Sequence, residues 1–304
     1  MSPHRHASHV PVSAVLLVLG AVALFTTADV IAKYLAERYP LPLVVLGRHG
    51  VQAAVMVALL APRRGWGIVR SAQPLLQIAR GSLLVGSSLF FIGALRWLPL
   101  ADATAINYTT PIIVVLLSVV LLNERMTKAR GAFVVAGFVG MLLIIRPGAS
   151  ILHGAALLVL GAALCYAFYQ VLTRKLRGDD PLVTLFYPAL CGTVMMTAAL
   201  PFLDFRAAMS WLDFSLLLLF GAPATLGHFL FIRAFQRAPA SALTPFTYAQ
   251  LVWAVLFGWI FFDNFPDRWS LAGMAIIAAS GLMLAWHERR QGRRAVPEEP
   301  TAVD

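Results

Sequence analysis

The chain has 304 residues, of which 60% are hydrophobic and 12% are charged, and its mean hydropathy is +0.78. A soluble domain normally carries about a quarter charged residues, so this composition excludes an ordinary soluble enzyme or binding module. The net charge of +10 does not indicate a nucleic-acid partner, because the charges lie in short clusters between long apolar runs.

Ten apolar stretches dominate the sequence. A helix that crosses a bilayer needs roughly 20 predominantly apolar residues, and the connectors between the stretches leave no room for a soluble domain. The predicted spans cover approximately residues 11–32, 41–61, 74–95, 100–122, 131–146, 151–172, 182–202, 213–235, 241–262 and 269–287. We therefore expect an all-α integral membrane protein with ten transmembrane helices.

The basic residues indicate how the chain is oriented. If the N-terminus is cytoplasmic, sixteen of the 24 Lys and Arg residues, including Arg63 and Arg64, fall on the cytoplasmic side. Six, including Lys33, fall in outer loops, while Arg48 and Arg80 lie within helices. This asymmetry follows the positive-inside rule. It predicts an inner (cytoplasmic) membrane protein whose tails, residues 1–10 and 289–304, are both cytoplasmic. Arg80 is expected to snorkel to the cytoplasmic headgroups.

The two halves of the sequence resemble each other. Leu16–Gly20 recurs as Leu157–Gly161, and with one residue of slippage Tyr108 matches Tyr248. Several prolines match as well, namely Pro40 with Pro181 and Pro99 with Pro239. We interpret this as a duplicated unit of five helices, at residues 11–148 and 151–288. Because five is odd, the second copy enters the membrane upside down, as in the inverted repeats of many secondary transporters.

Several motifs accompany the repeat. In the first half they are Asp29–Lys33, Pro40, Arg48, Leu98–Ala103, Pro111, Asn123-Glu124-Arg125 and Arg146-Pro147-Gly148. The second half has Arg237–Ala242 and Phe262-Asp263-Asn264, with Asn264 where a glutamate equivalent to Glu124 is expected. On these motifs nearly the whole chain resembles the EamA-type, ten-helix members of the drug/metabolite transporter superfamily, so that each unit is one EamA repeat.

The resemblance implies a function without a cofactor or an enzymatic reaction. It implies a secondary active transporter that moves a small organic metabolite or drug-like solute by alternating access. Efflux with proton coupling or exchange is the leading expectation. Uptake of a vitamin, a nucleoside-like cofactor or an amino acid is the alternative, and a lipid flippase or a membrane enzyme is the alternative of another class. A homodimer is left open.

Charged residues inside helices are candidates for the site, because each costs roughly 2.5–3.5 kcal/mol or more at the centre of a membrane helix. Asp29 lies near the outer end of helix one, and Arg48 lies about two turns into helix two from the same side. Their similar depths would allow them to pair. An arginine held by an aspartate could bind a substrate carboxylate or respond to a proton. A purely structural ion pair is the alternative.

Helices four and nine contribute further candidates. Helix four contains Asn107 and Tyr108, helix nine contains Tyr248 and Gln250, and each run includes a proline that is expected to kink the helix. Because the copies are inverted, we expect Tyr108 in the outer half of the membrane and Tyr248 in the inner half, as paired elements of an outer and an inner gate or cavity wall. Ordinary hydrogen bonding between neighbouring helices is the alternative.

The remaining candidates lie in helices six and eight. Tyr166 and Gln170 are four residues apart and share a helix face, and His228 could titrate near neutral pH or simply pack. Asp179 and Asp180, before Pro181, are interpreted as turn residues. The sequence contains no phosphate-binding loop, H-E-x-x-H or G-x-S-x-G motif, so we expect neither ATP-driven transport nor a metal site nor an enzyme.

Overall fold

The computed structural model describes residues 11–122, 126–146, 152–176, 179–203, 209–238 and 240–294. Residues 1–10 and 295–304 of the two tails, the motif Asn123–Arg125, Pro147 and Gly148 of the motif that begins at Arg146, and Pro239 lie outside these residues. The described part of the chain consists of α-helices and two short 3-10 turns, at Gly65–Val69 and Leu200–Phe202. The helices are α1 (Val12–Ala36), α2 (Leu41–Arg64), α3 (Pro74–Ala94), α4 (Leu100–Asn107), α5 (Thr110–Leu122), α6 (Lys128–Ile145), α7 (Leu152–Lys175), α8 (Pro181–Ala199), α9 (Trp211–Phe235), α10 (Ala240–Thr247), α11 (Ala249–Phe262) and α12 (Arg268–Arg294).

Ten stretches of this helical structure are long and apolar enough to cross a bilayer, and each predicted span has its counterpart among them. The fourth span consists of α4 and α5, and the ninth consists of α10 and α11. The prediction of an all-α, ten-span integral membrane protein is therefore confirmed. At the C-terminus the structure differs from expectation, because α12 continues to Arg294 and the predicted tail from residue 289 begins as helix.

Helix packing follows the same pattern in both halves of the chain. α1 packs along α9, and its equivalent α7 packs along α3. In the same way α2 packs on α9 and its equivalent α8 packs on α3, while α1 packs on α11 and α7 packs on α5. The second helices, α2 and α8, pack on each other, and so do the fifth helices, α6 and α12. Exchanging the two units leaves this pattern unchanged, as a pair of inverted five-helix repeats requires.

The two fifth helices approach each other closely at two glycines. A Cβ atom added to Gly140 of α6 would lie 2.8 Å from the carbonyl oxygen of Gly273 in α12. The reciprocal substitution at Gly273 would meet the carbonyl oxygen of Gly140. Small residues at such a crossing allow two membrane helices to gain van der Waals contact between their backbones.

The loop between the first two helices of each unit contacts the third helix of the other unit. The Tyr39 hydroxyl, before α2, donates to Asp213 Oδ2 in the first turn of α9 at 2.6 Å. At the opposite end of the bundle, Asp179, before α8, accepts hydrogen bonds from Ser71 Oγ and, at 2.9 Å, from Gln77 Nε2 in α3. We refer to these as the Tyr39 contact and the Asp179 contact.

The pair Asp179-Asp180 does more than form a turn. Asp180 caps α8 by accepting a hydrogen bond from the Leu182 N–H at 2.8 Å. Asp179 instead connects the two units, and its hydrogen bonds to Ser71 and Gln77 lower the pKa of its carboxyl group. Sequence reasoning gave both residues the role of turn residues and predicted neither the cap at Asp180 nor the contact of Asp179 with a distant helix, which follows from the packing of α3 against α7 and α8.

Candidate substrate-binding site

The fourth span is interrupted at Tyr108 and Thr109, and the local sequence explains why. Pro111 has no N–H to offer the carbonyl of Asn107, which lies one helical turn earlier. The Thr110 hydroxyl donates to that carbonyl instead, at 2.7 Å. Tyr108 is the residue that ends α4, and its half-buried side chain projects from the break.

The ninth span is interrupted at Tyr248, the residue that matches Tyr108 in the repeat. The Leu251 N–H bonds to the Tyr248 carbonyl at 3.0 Å, three residues back, so the Thr247 carbonyl is left without its helical partner. The Tyr108 hydroxyl donates to this Thr247 carbonyl at 2.6 Å and lies 3.1 Å from Gln250 Oε1. The two interruptions are therefore joined by a hydrogen bond between the units.

Tyr108 and Tyr248 contact each other, so they do not form two separate gates, while their positions in the outer and inner halves of the membrane stay a prediction. Their ring centroids are 5.0 Å apart, in the tilted arrangement that aromatic pairs favour. Tyr108 lies about 12 Å along its span and Tyr248 about 9 Å along its own, at about 1.5 Å per residue. Because the spans enter from opposite faces of a layer about 30 Å thick, the long side chains meet near its centre.

Tyr248 is also confined from the side of α12. A Cβ atom added to Gly281 would overlap the Tyr248 hydroxyl and the end of its ring. The fifth helix of the second unit therefore holds the ring of Tyr248 against Tyr108, and only glycine leaves room for it.

Asp29 and Arg48 lie near each other, on α1 and α2, and both side chains are half-buried. The Arg48 charge acts on the Asp29 carboxylate. Among the described residues, however, no ion pair of 4.0 Å or less joins Asp29 to Arg48. The direct pairing that their depths suggested is not formed in this conformation.

Arg48 lies within electrostatic reach of four other polar side chains. These are Asp29 on α1, His49 beside it on α2, Tyr166 on α7 and His228 on α9. Tyr108 in turn interacts with Tyr166 and Asp29. The structure thus brings candidates from both units around one charged centre.

The other candidates differ in how firmly they are held. His228 Nδ1 lies 2.7 Å from the Ala224 carbonyl, and its ring meets Phe25 edge-on at 4.8 Å. Since a carbonyl only accepts, that bond requires a proton on Nδ1. Asn107 keeps a buried Oδ1 without a hydrogen-bond partner. Gln170 is half-buried one turn beyond Tyr166 on α7.

The sequence pattern did not single out His49. Its side chain is 1% exposed, Nε2 lies 3.3 Å from Ser88 Oγ, and Nδ1 has no hydrogen-bond partner. The available signal was its position directly after Arg48 inside an apolar helix. We add His49 to the residues that surround Arg48.

Tyr169 was also missed, and it extends the aromatic surface of α7. Its ring is stacked on that of Tyr166, with centroids 5.5 Å apart and an angle of 11° between the ring planes. The two tyrosines are three residues apart, a spacing that places side chains on the same helix face. α7 therefore presents two parallel rings, one of which lies within reach of Arg48.

The prediction that Arg80 snorkels to the headgroups is wrong. Its side chain is 1% exposed, because α3 packs on α7 and α8 around it. The guanidinium donates to Thr173 Oγ1 at 3.0 Å and to the carbonyl of Thr184, and it lies 4.7 Å from the ring centroid of Tyr169. Buried hydrogen-bond acceptors and an aromatic face take the place of the lipid headgroups.

Lys33 was assigned to an outer loop, but it lies in α1 and is 6% exposed. Its Nζ donates to the carbonyls of Leu95 at 2.5 Å and Leu98 at 3.1 Å, and it lies 3.2 Å from Glu37 Oε1. The helix continues past the predicted end, and the lysine satisfies carbonyls at the end of α3. Lys33 therefore fixes α1 to α3 rather than facing solvent.

A second polar region lies at the end of the bundle that holds the Tyr39 contact. Asp102, in the first turn of α4, lines a cavity of about 250 Å³ together with Arg146, Asp267 and Ser270. Arg146 and Asp267 form an ion pair there. No cluster of three or more His, Cys, Asp or Glu side chains that could hold a metal ion occurs in the part of the chain that the structure describes.

Comparison with known proteins identifies the kind of protein that carries this site. The S-adenosylmethionine uptake transporter of Rickettsia bellii (strain RML369-C) is 27% identical over 268 residues, which are 86% of this chain and 89% of that protein. The riboflavin transporter of Vibrio cholerae serotype O1 is 28% identical, over 94% of this chain and 97% of its own. The pseudopaline exporter CntI of Pseudomonas aeruginosa (strain UCBPP-PA14) is 25% identical, over 90% and 96%.

The family comparison covers both halves of the chain separately. The EamA-like transporter family matches at residues 12–146 and again at residues 153–286. Five of the ten membrane-spanning stretches fall in each half. The chain therefore belongs to the EamA-like transporter family, within the drug/metabolite transporter superfamily.

Proposed function

We propose that this protein is a secondary transporter of a small metabolite that joins a zwitterionic head to a planar ring, and that it works by alternating access. The observation that carries the proposal is the arrangement of Asp29 and Arg48. These two ionisable side chains are half-buried on the packed helices α1 and α2, and yet they do not close into an ion pair of 4.0 Å or less.

An unclosed charge pair inside a membrane protein suits a ligand that carries both charges. Each charge is costly in hydrocarbon, and a solute with an ammonium and a carboxylate group can compensate both at once. The carboxylate would bind the Arg48 guanidinium, which can donate two parallel hydrogen bonds. The ammonium would bind Asp29.

The tyrosines near these charges support the proposal that the solute contains a planar ring. The stacked pair Tyr166–Tyr169 and the contacting pair Tyr108–Tyr248 lie close to these charges and offer aromatic faces to a planar group. S-adenosylmethionine and riboflavin, the solutes for which two of the relatives are named, both contain a planar ring system. S-adenosylmethionine also carries an amino-acid group.

The architecture supports alternating access. Two similar units in inverted orientation can exchange their conformations, which moves access from one face to the other. The Tyr39 and Asp179 contacts join the units at opposite ends of the bundle, and the Tyr108–Thr247 hydrogen bond joins them between these ends. We propose that each conformational exchange breaks one of the end contacts and keeps the other.

Orientation and energy source form part of the proposal. The distribution of basic residues supports cytoplasmic termini in the inner membrane, which places the Tyr39 contact outside and the Asp179 contact inside. Two of the relatives are named for opposite directions, uptake and export. Efflux with proton coupling or exchange stays our prediction, with Asp29 as the proton-carrying group, and uptake is the alternative.

The test is solute flux in proteoliposomes that contain the purified protein. The probes are S-adenosylmethionine, methionine (no ring system), adenosine (no amino-acid group), riboflavin and a fluorescent phospholipid, each with and without a pH gradient. We expect saturable movement of S-adenosylmethionine and at least tenfold weaker movement of methionine and adenosine. Movement of riboflavin alone would contradict the zwitterionic head, and movement of fluorescent phospholipid alone would support a flippase.

Charge variants complete the test. Asp29→Asn and Arg48→Gln should each reduce flux of S-adenosylmethionine at least tenfold. The matched controls are Asp263→Asn and Arg268→Gln, because both side chains are exposed and lie away from the site. Equal flux in the site variants and the controls would remove Asp29 and Arg48 from the proposal.

A further inference from the structure

We infer that Arg80 is a positioning residue for solute binding, because its buried guanidinium holds Tyr169 in place and Tyr169 holds Tyr166 at the site. This inference rests on the proposed function, since Tyr166 belongs to the aromatic wall that we propose for the site, which consists of Tyr108, Tyr166, Tyr169 and Tyr248. Arg80 itself lies among α3, α7 and α8 and touches neither Asp29 nor Arg48 in any hydrogen bond or ion pair of the described residues.

The burial of Arg80 calls for a function. A guanidinium that is 1% exposed in a membrane-spanning helix is expensive, and such groups usually serve a function. Among the described residues, no carboxylate lies close enough to Arg80 for an ion pair. Its Nε has no hydrogen-bond partner either. If the only need were to fill space between three helices, a methionine or leucine would do so without the cost of a buried charge.

Arg80 holds Tyr169 in two ways. Its guanidinium lies 4.7 Å from the ring centroid, within the range of a cation–π interaction. Its Nη1 also donates to Thr173 Oγ1 at 3.0 Å, and the Thr173 hydroxyl in turn donates to the Tyr169 carbonyl at 2.7 Å. The arginine therefore restrains both the ring and the backbone of Tyr169.

The guanidinium is itself fixed from the opposite side. Its Nη2 donates to the carbonyl of Thr184, whose hydroxyl accepts a hydrogen bond from Gln77 Nε2 at 3.1 Å. The same Gln77 amide donates to Asp179. Arg80 thus lies between the Asp179 contact, at the end of the bundle, and the aromatic wall near its centre.

The final step is the stacking of Tyr169 on Tyr166. With nearly parallel rings and centroids 5.5 Å apart, the orientation of one ring limits that of the other. Tyr166 lies within electrostatic reach of Arg48 and Tyr108. Loss of the Arg80 charge should therefore loosen Tyr169, release Tyr166 and weaken binding of the planar part of the solute.

The first experiment separates affinity from turnover in proteoliposomes. For Arg80→Met we expect the KM for S-adenosylmethionine to rise about three- to tenfold, while the maximal rate stays within twofold. Tyr169→Leu should have the same effect, and the double variant should be no worse than either single one. Arg80→Lys, which keeps a cation, should recover part of the affinity.

A matched arginine provides the control. Arg96, just beyond the other end of α3, donates to the carbonyls of Ala36 at 2.5 Å and Tyr39 at 2.6 Å, away from the aromatic wall. Arg96→Met should leave the KM within twofold of the wild-type value. An Arg80→Met protein with unchanged KM and a lower maximal rate or less folded protein would mean that Arg80 is structural, and would overturn the inference.

The second experiment needs no solute, so it distinguishes failure of this inference from failure of the proposed function. Cys165 and Cys191 are first replaced by alanine, and Tyr166 is then replaced by cysteine. The measured quantity is the rate at which the thiol introduced at position 166 reacts with a water-soluble thiol reagent. Adding Arg80→Met should accelerate labelling at least threefold, as should Tyr169→Leu, because the covering ring is lost. If wild-type protein carries no probe solute, the proposed function fails. An unchanged labelling rate in Arg80→Met overturns the positioning role in either case.

Discussion

The hydroxyl of Tyr108 donates a hydrogen bond to the carbonyl oxygen of Thr247 at 2.6 Å, and this bond connects the broken spans of the two repeats. Each residue lies at the interruption of its own span, and the two are 139 residues apart in the chain. The bond gives the break in the ninth span a partner for its free carbonyl. Because the bond joins the two units, a movement of one unit against the other would stretch or break it.

Removing the Tyr108 hydroxyl should weaken this connection. Tyr108→Phe leaves the Thr247 carbonyl without its donor, and a hydrogen bond between membrane helices contributes about 0.6 kcal/mol on average and up to about 1.7 kcal/mol. We expect a lower melting temperature in detergent and a several-fold change in transport rate. Tyr248→Phe is the matched control, because no hydrogen bond of the Tyr248 hydroxyl occurs within the described residues. Equal effects of the two variants would contradict the prediction.

Gly281 and Gly131 provide a contrast between a confined and an open glycine. Gly281→Ala would overlap the Tyr248 ring, whereas nothing lies within 4 Å of a Cβ at Gly131. We expect Gly281→Ala to destabilise the protein by about 1–3 kcal/mol, as overpacking does. Gly131→Ala, in α6, should be neutral or stabilise it by up to about 1 kcal/mol. Thermal unfolding in detergent measures both, and a stable Gly281→Ala protein would mean that Tyr248 can move aside.

The ion pair between Arg146 and Asp267 should contribute to stability over a wide pH range. Hydrogen bonding to Arg146 lowers the pKa of Asp267 to about 2. Because this folded-state pKa is depressed, the contribution is present above the unfolded pKa of about 3.9 and is lost as pH falls through about 2. Both side chains are well exposed, at 39% and 50%, so solvent screening limits the contribution to about 1 kcal/mol or less.

The measurement for this pair compares Arg146→Gln with wild type by thermal unfolding at pH 7 and pH 3 and at two salt concentrations. The difference in melting temperature should be smaller at pH 3 than at pH 7, because pH 3 lies between the folded and unfolded pKa values of Asp267, and it should shrink in high salt. Asp267 also caps α12 by accepting from the Trp269 and Ser270 N–H groups. Asp267→Asn should therefore act like Arg146→Gln, whereas Asp267→Ala should cost more, because it also removes the cap.

The Tyr39 and Asp179 contacts should control access from opposite faces of the membrane. Tyr39→Phe removes the hydrogen bond to Asp213, and we expect faster labelling of a cysteine at Gln170 by an impermeant reagent added outside. Asp179→Asn weakens the other contact and should accelerate labelling from inside. Acceleration from the same side in both variants would contradict the assignment of the two contacts to opposite faces.

The Tyr39 contact should also depend on alkaline pH. Its hydrogen bond to Asp213, together with partial desolvation, raises the pKa of the Tyr39 hydroxyl above its usual value. A raised folded-state pKa means that the contact is fully present below the unfolded pKa and is lost as pH rises through the folded one. Labelling of the Gln170→Cys protein from outside should therefore accelerate above pH 10. When Tyr39→Phe is added to this protein, the labelling rate should no longer change between neutral pH and pH above 10.

Much of the fold could be predicted because its signals are local. Each span is an apolar run of its own, so the ten helices were predicted to within a few residues at most ends. The prolines in the two runs also predicted that the fourth and ninth spans would be distorted, although Pro245 lies inside α10 and the break of the ninth span falls at Tyr248. Pro111 gave a covalent reason for the first interruption, because its nitrogen has no proton to donate.

The sequence by itself therefore determined the membrane class, the number of spans, the repeat and most of the polar residues inside the helices. Only the tertiary structure decided which of these residues meet. The burial of Arg80 and Lys33, the position of His49 beside Ser88 and the contact of Tyr108 with Tyr248 depend on helices that are distant in sequence. The physical reason is that hydropathy records how much apolar surface a helix has. The partner of each polar group depends on how the helices pack, since a buried donor or acceptor must find its partner on a neighbouring helix.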